Sequence, residues 1–244
     1  MKMHAPSIAA SAVMLLLFAF IAPASAQLSQ AWAWCEGKNN AAADLRIAGC
    51  TTVIQSGRES KANLAVAFNN RGNAYNEKRQ HDLAIQDLDQ AIGLNPKYAR
   101  ALSNRGSAYR SLGQHDRAIQ DYDRAIALEP RNAVGWNNRC LARAVAGHLE
   151  QALSDCNQAL KLKPGAFYVL DTRGLVHLKR GDFGGAIADY DAVLRKMPNV
   201  PDSLYGRGLA KRQKGDVAGG ETDMAAARAI DATIAETYAG HGLR

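Results

Sequence analysis

Apolar residues recur along this chain at helical rather than strand spacing. Leu102, Gly106 and Tyr109 share one helical face. After Gly113-Gln114-His115-Asp116, a second face is formed by Ala118, Ile119, Tyr122, Ala125, Ile126 and Leu128. The intervening residues read as a turn. Glu129-Pro130 stops the second helix, because a residue before proline is driven out of the α region. No strand-like alternation of useful length occurs, so the predicted fold is all-α and its unit is a helix–turn–helix hairpin. That hairpin recurs. Pro96, Pro130, Pro164 and Pro198 stand 34 residues apart, as do Arg71, Arg105, Arg139, Arg173 and Arg207, and as do Gly113, Gly147, Gly181 and Gly215. Three residue types sharing one spacing predict a stacked repeat array, in which each hairpin buries its apolar face against the next.

Setting Pro96 at position 32 of its unit divides the chain into units 65–98, 99–132, 133–166, 167–200 and 201–234. Position 4 is then bulky (Phe68, Leu102, Trp136, Leu170, Leu204), and position 8 is small (Gly72, Gly106, Cys140, Gly174, Gly208). Position 20 is Ala84, Ala118, Ala152, Ala186 and Gly220; position 27 is Ala91, Ala125, Ala159, Val193 and Ala227. Over 170 of the 244 residues this pattern resembles the tetratricopeptide repeat (TPR). The resemblance implies a right-handed α-solenoid whose concave face, lined by the first helix of each unit, binds protein or peptide and catalyses nothing. Two features depart from the family pattern. Position 11 changes from Tyr75 and Tyr109 to Arg143, His177 and Lys211, and Ala232 replaces the fifth proline. Residues 235–244 are too few for another repeat and are expected to form a partial capping helix, with Tyr238 covering the last apolar face. Residues 27–64 resemble a degenerate hairpin, with Ile47, Cys50 and Ile54 on one side of its second helix. Such a cap shields an end repeat that would otherwise expose its apolar face.

Residues 1–26 read as an export signal. Lys2 precedes an apolar core from about Ile8 to Ala22, Pro23 breaks it, and Ala24-Ser25-Ala26 supplies small residues for cleavage. The core is shorter than the roughly 20 residues of a membrane span, which argues against an uncleaved anchor. No Cys follows Ala26, which argues against a lipidated N-terminus. The expected location is therefore periplasmic or secreted. Export would place Cys35, Cys50, Cys140 and Cys156 in an oxidising compartment, where an even count suggests disulfides. Cys35 and Cys50 are expected to staple the N-terminal cap. Cys140 and Cys156 occupy positions 8 and 24 of one unit, a borderline distance for a bond. A disulfide and two buried thiols both remain open for that pair.

Composition adds limits. With 47% hydrophobic and 22% charged residues the chain is an ordinary folded protein, and its +7 charge is spread among acidic residues without a basic block. That argues against a nucleic-acid partner. Position 7 is Arg in every unit and position 23 is Asp: Asp87, Asp121, Asp155, Asp189 and Asp223. Five structural ion pairs are expected across the hairpins, bidentate where geometry allows.

The residues that vary fall on the expected concave face. Asn70, Asn104 and Asn138 at position 6, with Asn69 and Asn137 at position 5 and Asn73 at position 9, resemble the asparagine ladder of superhelical TPR domains. An amide side chain can donate to a peptide C=O and accept from its N–H without reading sequence. Further along, Leu141, Leu175 and Leu209 occupy position 9, with Tyr168, Leu178 and Tyr205 nearby. A two-part groove is expected: a polar half for peptide backbone and an apolar half for an anchor side chain. The alternative is that these leucines only pack between helices. The Lys/Arg clamp of chaperone-tail adaptors is absent, since Asn69, Asn73 and Val134 stand at its positions. His81, His115 and His148 lie at or near turns without metal-ligand spacing, and no phosphate loop or nucleophile elbow occurs. Arg180-Gly181-Asp182 aligns with the turn glycines and is explained by them. No catalytic residue, metal or cofactor is expected. The leading reading is a protein- or peptide-binding adaptor. The alternatives are a self-associating protein that buries the groove against its own tail or a second copy, and an accessory subunit of an envelope enzyme complex.

Overall fold

The computed structural model describes residues 24–243. The export-signal reading of residues 1–26 therefore lies, apart from Ala24–Ala26, outside the described residues. Among the described residues thirteen α-helices follow one another. Two form the N-terminal hairpin, α1 (Ala24–Cys35) and α2 (Ala43–Gln55), joined through a 3-10 turn at Lys38–Asn40. Five hairpins come next: α3 (Lys61–Glu77) with α4 (His81–Leu94), α5 (Ala99–Ser111) with α6 (His115–Leu128), α7 (Ala133–Val145) with α8 (Leu149–Leu162), α9 (Phe167–Lys179) with α10 (Phe183–Leu194), and α11 (Pro201–Gln213) with α12 (Val217–Ile230). A short α13 (Ile234–Gly240) is the last described helix. Each helix packs on its sequence neighbours, and the first helices α3, α5, α7, α9 and α11 also touch one another in succession. The second helices do not, so the first helices form the inner, concave wall.

Each hairpin turns the same way. The N–H of position 16 (Gln80, Gln114, His148, Asp182, Asp216) donates to the carbonyl of position 11, at 2.8 to 3.0 Å. This is the six-to-one bond that closes a helix through a left-handed residue. Glycine supplies that residue in four units, with φ of 72° at Gly113, 88° at Gly147, 76° at Gly181 and 96° at Gly215. In the first unit Arg79 holds the same conformation at φ 59°. A β-carbon there costs about 1 kcal/mol, and glycine gives back part of that as unfolded-chain entropy. Arg79→Gly is accordingly expected to raise stability by about 0.5 kcal/mol, read as a higher denaturation midpoint; a lower midpoint would contradict the assignment.

Positions 8 and 24 touch across every hairpin. A β-carbon on Gly72 would lie 2.8 Å from Leu88, one on Gly106 2.9 Å from Tyr122, one on Gly174 2.8 Å from Tyr190, and one on Gly208 2.6 Å from Met224. The third unit replaces this small–large pair by Cys140 and Cys156, which form a disulfide with Cα atoms 5.5 Å apart. Position 8 therefore points at the side chain of position 24, one turn nearer than the sequence register suggested. Cys35 and Cys50 are also bonded, with Cα atoms 4.5 Å apart. Gly49 permits that approach, since a β-carbon there would lie 2.6 Å from the Ala31 carbonyl oxygen. The cap core is Ala31, Cys35, Cys50, Val53 and Ala67, with Ile54 half-buried beside it.

The Arg and Asp of positions 7 and 23 face each other in all five units. In each, Arg Nε and Nη2 donate to the two carboxylate oxygens at 2.6 to 2.9 Å: Arg71 to Asp87, Arg105 to Asp121, Arg139 to Asp155, Arg173 to Asp189, and Arg207 to Asp223. All five carboxylates are buried. The third donor, Nη1, reaches back to the preceding hairpin. It meets Asp89, Asp123, Asn157 and Asp191 from the second to the fifth unit, and Thr51 of α2 from the first. Each arginine thus closes its own hairpin and fixes the previous one. The fifth unit has Ala225 at that acceptor position.

Candidate functional site

The inner wall carries the asparagines. Asn104 Nδ2 donates to Asn69 Oδ1 at 2.9 Å, and Asn69 Nδ2 to Asn70 Oδ1 at 3.1 Å. Asn73 Nδ2 donates to Glu77 at 2.9 Å. Asn76 Nδ2 donates to the Asn104 carbonyl at 3.0 Å and thereby ties α3 to α5. Asn104 and Asn138 line one recess with Arg100, Ser103 and Val134. Among the described residues Asn70 Nδ2, Asn104 Oδ1 and the Asn138 amide carry no side-chain hydrogen bond. These groups can pair with an incoming backbone. Asn69 and Asn137 cannot, because both are buried between first helices, at 1% and 8% exposure. Their place among the groove contacts is corrected: position 5 turns toward the neighbouring hairpin, and position 6 toward the groove.

The apolar half is closed by the chain's own end. Leu175, Leu178, Tyr205 and Leu209 are buried in one core cluster with Tyr190, Ile234 and Tyr238, and Leu141 and Leu243 pack on it. Tyr168 is half-buried and belongs to the core beneath the third unit, and Lys163 lies over its ring. The expected open apolar stripe is thus corrected to a covered one. Residues from Asp231 onward fold back over α11. Tyr238 donates from its hydroxyl to the Asp202 carbonyl at 2.8 Å, and its oxygen lies 3.4 Å from that of Tyr190. A hollow at Gly206 admits both rings: a β-carbon there would lie 2.4 Å from Tyr190 and 2.5 Å from the Tyr238 hydroxyl. Position 6, asparagine in three units, has lost its side chain where the tail sits. Lys179 Nζ donates to the His241 carbonyl at 2.6 Å. A recess runs between Glu236, Thr237, Gly240 and His241 of the tail and Arg110 and His115 of the second unit.

Burial here moves several ionisable groups. Desolvation pushes Asp171 up to about 6, although Ser203 Oγ donates to it at 2.5 Å. It also raises Asp202, and it lowers Lys179, with His241 lowered by burial and by the cations Lys179 and Arg110. The folded chain holds a proton on Asp171 that the unfolded chain releases at the usual carboxylate pKa near 3.9. Stability contributed by that proton is present below the unfolded pKa and falls as pH rises towards about 6. Asp171→Asn is expected to remove this slope and to stabilise the protein at pH 7 by up to about 2 kcal/mol. Thermal melts of both proteins from pH 4 to 7 check it; parallel curves would contradict it.

Tetratricopeptide repeat models match residues 65–98, 99–132 and 172–236, more than half of the chain. The chain belongs to the TPR family. Among curated proteins none matches it significantly. Solved TPR structures share its fold at low identity. A TPR protein from Parabacteroides merdae is 15% identical, with a TM-score of 0.68 over 88% of this chain and 87% of that one. PilW, described as a type IV pilus biogenesis factor, is 16% identical, with a TM-score of 0.70 over 84% and 92%. YrrB, described as a TPR protein with an unusual peptide-binding site, is 18% identical, with a TM-score of 0.55 over 80% and 98%. At these identities the likeness is one of fold. Among the described residues no helix is long and apolar enough to cross a membrane, and no cluster of metal ligands occurs.

Sequence reasoning missed three sets of residues in this TPR array. The first is the acceptor at position 25, although Asp89, Asp123 and Asp191 already lie on the repeat's spacing. The second is position 11 of the last three units. Arg143 donates to Asp155 at 2.7 Å, Lys211 lies 2.9 Å from Asp223, and His177 lies 3.8 Å from Asp189. Arg143 and Lys211 thus replace the aromatic by a second cation on the buried carboxylate, and His177 replaces it by an imidazole. Arg207 and Lys211 together hold Asp223 below the usual carboxylate range against the opposing effect of burial. The third is Ile234, which joins the expected Tyr238 as the second anchor of the tail, four residues before it on one helical face.

Proposed function

We propose that this TPR protein is a non-catalytic adaptor outside the cytoplasm that holds an extended segment of another protein against the polar half of its concave groove. One observation carries the reading: Asn70, Asn104 and Asn138 succeed one another on the inner wall with unused amide capacity, beside an open recess. Side-chain amides in such a row offer donors and acceptors together, as peptide backbone requires. Two disulfides within one chain support an oxidising compartment, as does the signal-like N-terminus. YrrB and PilW lend the reading precedent, as a TPR protein with a peptide-binding site and a pilus biogenesis factor.

A photo-crosslinking residue at Asn138, compared with one at the exposed convex Arg124, tests the proposal in cells. Adducts are expected from position 138, lost when Asn70 and Asn104 are both changed to Ala. Equal adducts from both positions, or none from 138, would overturn it.

A further inference from the structure

We propose that the C-terminal segment 231–243 is an exchangeable internal ligand, and that the apolar half of the groove receives from a partner a short amphipathic helix of the same kind: an aliphatic residue, a tyrosine four residues on, and a second aliphatic residue beyond. The inference rests on the adaptor reading and adds the second half of the partner's chemistry.

The anchors define that chemistry. Ile234 and Tyr238 are 1% and 3% exposed, while Glu236 and Thr237 between them face outward. Leu243 packs against the same cluster, so three apolar side chains hold one short segment. The seat selects tyrosine rather than any large residue. The Gly206 hollow admits the ring, the Asp202 carbonyl accepts from its hydroxyl, and Tyr190 meets the same oxygen. Lys179 then takes a backbone carbonyl, a contact that any helix C-terminus can make. Every one of these receiving groups belongs to the repeats, and the tail supplies only anchors.

The hold on the tail is opposed by polar burial. α13 is seven residues long, too short to be helical alone. Docking leaves His241 Nδ1 buried without a partner. Lys179, whose Nζ meets the His241 carbonyl, is desolvated there, which acts in the same direction. Gly240 and Gly242 flank His241, and both add backbone freedom to the released segment. A short segment with few anchors and uncompensated polar groups opens at lower free energy than the hairpins beside it. A ligand that matches the seat then competes with the tail, and its apparent affinity scales with the fraction of chains in which the seat is empty.

The probe is a fluorescent peptide of residues 231–243, titrated into the full chain and into full-length Tyr238→Ala and Ile234→Ala/Tyr238→Ala variants. We expect the double variant to bind it about tenfold or more tighter than the wild type, with Tyr238→Ala between. A peptide with Ala in place of Tyr238 should bind none of them. Hydrogen exchange on the wild-type chain provides a measurement free of folding defects: amides of 234–240 should exchange far faster than those of α11 and α12. Peptide binding that does not respond to the variants, or tail protection equal to that of α12, would show a permanent cap and overturn the proposal. A wild-type dimer that falls to monomer in the Tyr238→Ala variant would assign the seat to a second copy, which also overturns it. Loss of crosslinking at Asn138 with peptide exchange intact would strike the adaptor reading of the polar half; the reverse outcome would strike this inference alone.

Discussion

Replacing Asp155 by Ala is expected to destabilise the third repeat by about 3 kcal/mol. Its carboxylate is 2% exposed and accepts from Arg139 Nε and Nη2 and from Arg143 Nη1. Truncation leaves two half-buried guanidinium groups facing one another without their shared anion. Arg139 retains Asp123 on the preceding hairpin, but that carboxylate is 47% exposed and compensates little. Asp155→Asn, which keeps one acceptor oxygen but no charge, should lose less. Asp121, paired with Arg105 and more distantly with Arg124, should give a smaller loss than Asp155, because no position-11 cation is left behind in its unit. Because the array is nearly one-dimensional, the damage should appear as faster hydrogen exchange in α7 and α8 and as a broadened unfolding transition. An Asp155→Ala protein that melts with the wild type would show that these pairs set no stability.

Loss of the Cys140–Cys156 bond should cost about as much, near 3 kcal/mol for a loop of 16 residues. Cys140→Ser/Cys156→Ser also leaves a poor fill where the other units carry glycine against Leu88, Tyr122, Tyr190 or Met224. A Cys140→Gly/Cys156→Tyr variant copies the second and fourth units and should recover part of the loss. Equilibrium unfolding of the three proteins separates the contribution of the crosslink from that of packing. If the Gly/Tyr pair were no better than Ser/Ser, the equivalence of the two arrangements would fail.

The repeat itself was legible because three residue types share its spacing, and each has a local cause. Proline stops the second helix, glycine closes the turn, and Arg with Asp bridges the hairpin. The pairing of Cys140 with Cys156 was not, because position 8 points along the hairpin rather than straight across it, and only coordinates give that angle. The groove was half legible. Position 6 was read from the period of the helix, and Asn70, Asn104 and Asn138 there stay half-buried on the first helices. Asn69 and Asn137, one residue earlier, rotate into the contact with the next hairpin. Leu175, Leu178, Tyr205 and Leu209 do lie on the inner wall, yet a segment more than twenty residues further along covers them. Nothing local to those leucines encodes that cover. Its signals were dispersed: Gly206 where asparagine would stand, Ala232 in place of proline, and Ile234 and Tyr238 one turn apart in a stretch too short to be a repeat.

The account holds that the second helices and their ion pairs are frame, and that binding belongs to the inner wall. Hydrogen exchange of the full chain, with and without the protein captured through Asn138, addresses that division directly. Slowed exchange in α3, α5 and α7, with α4, α6 and α8 unchanged, is the predicted result. Slowed exchange confined to α4, α6 and α8 would place the partner on the convex face and contradict the account.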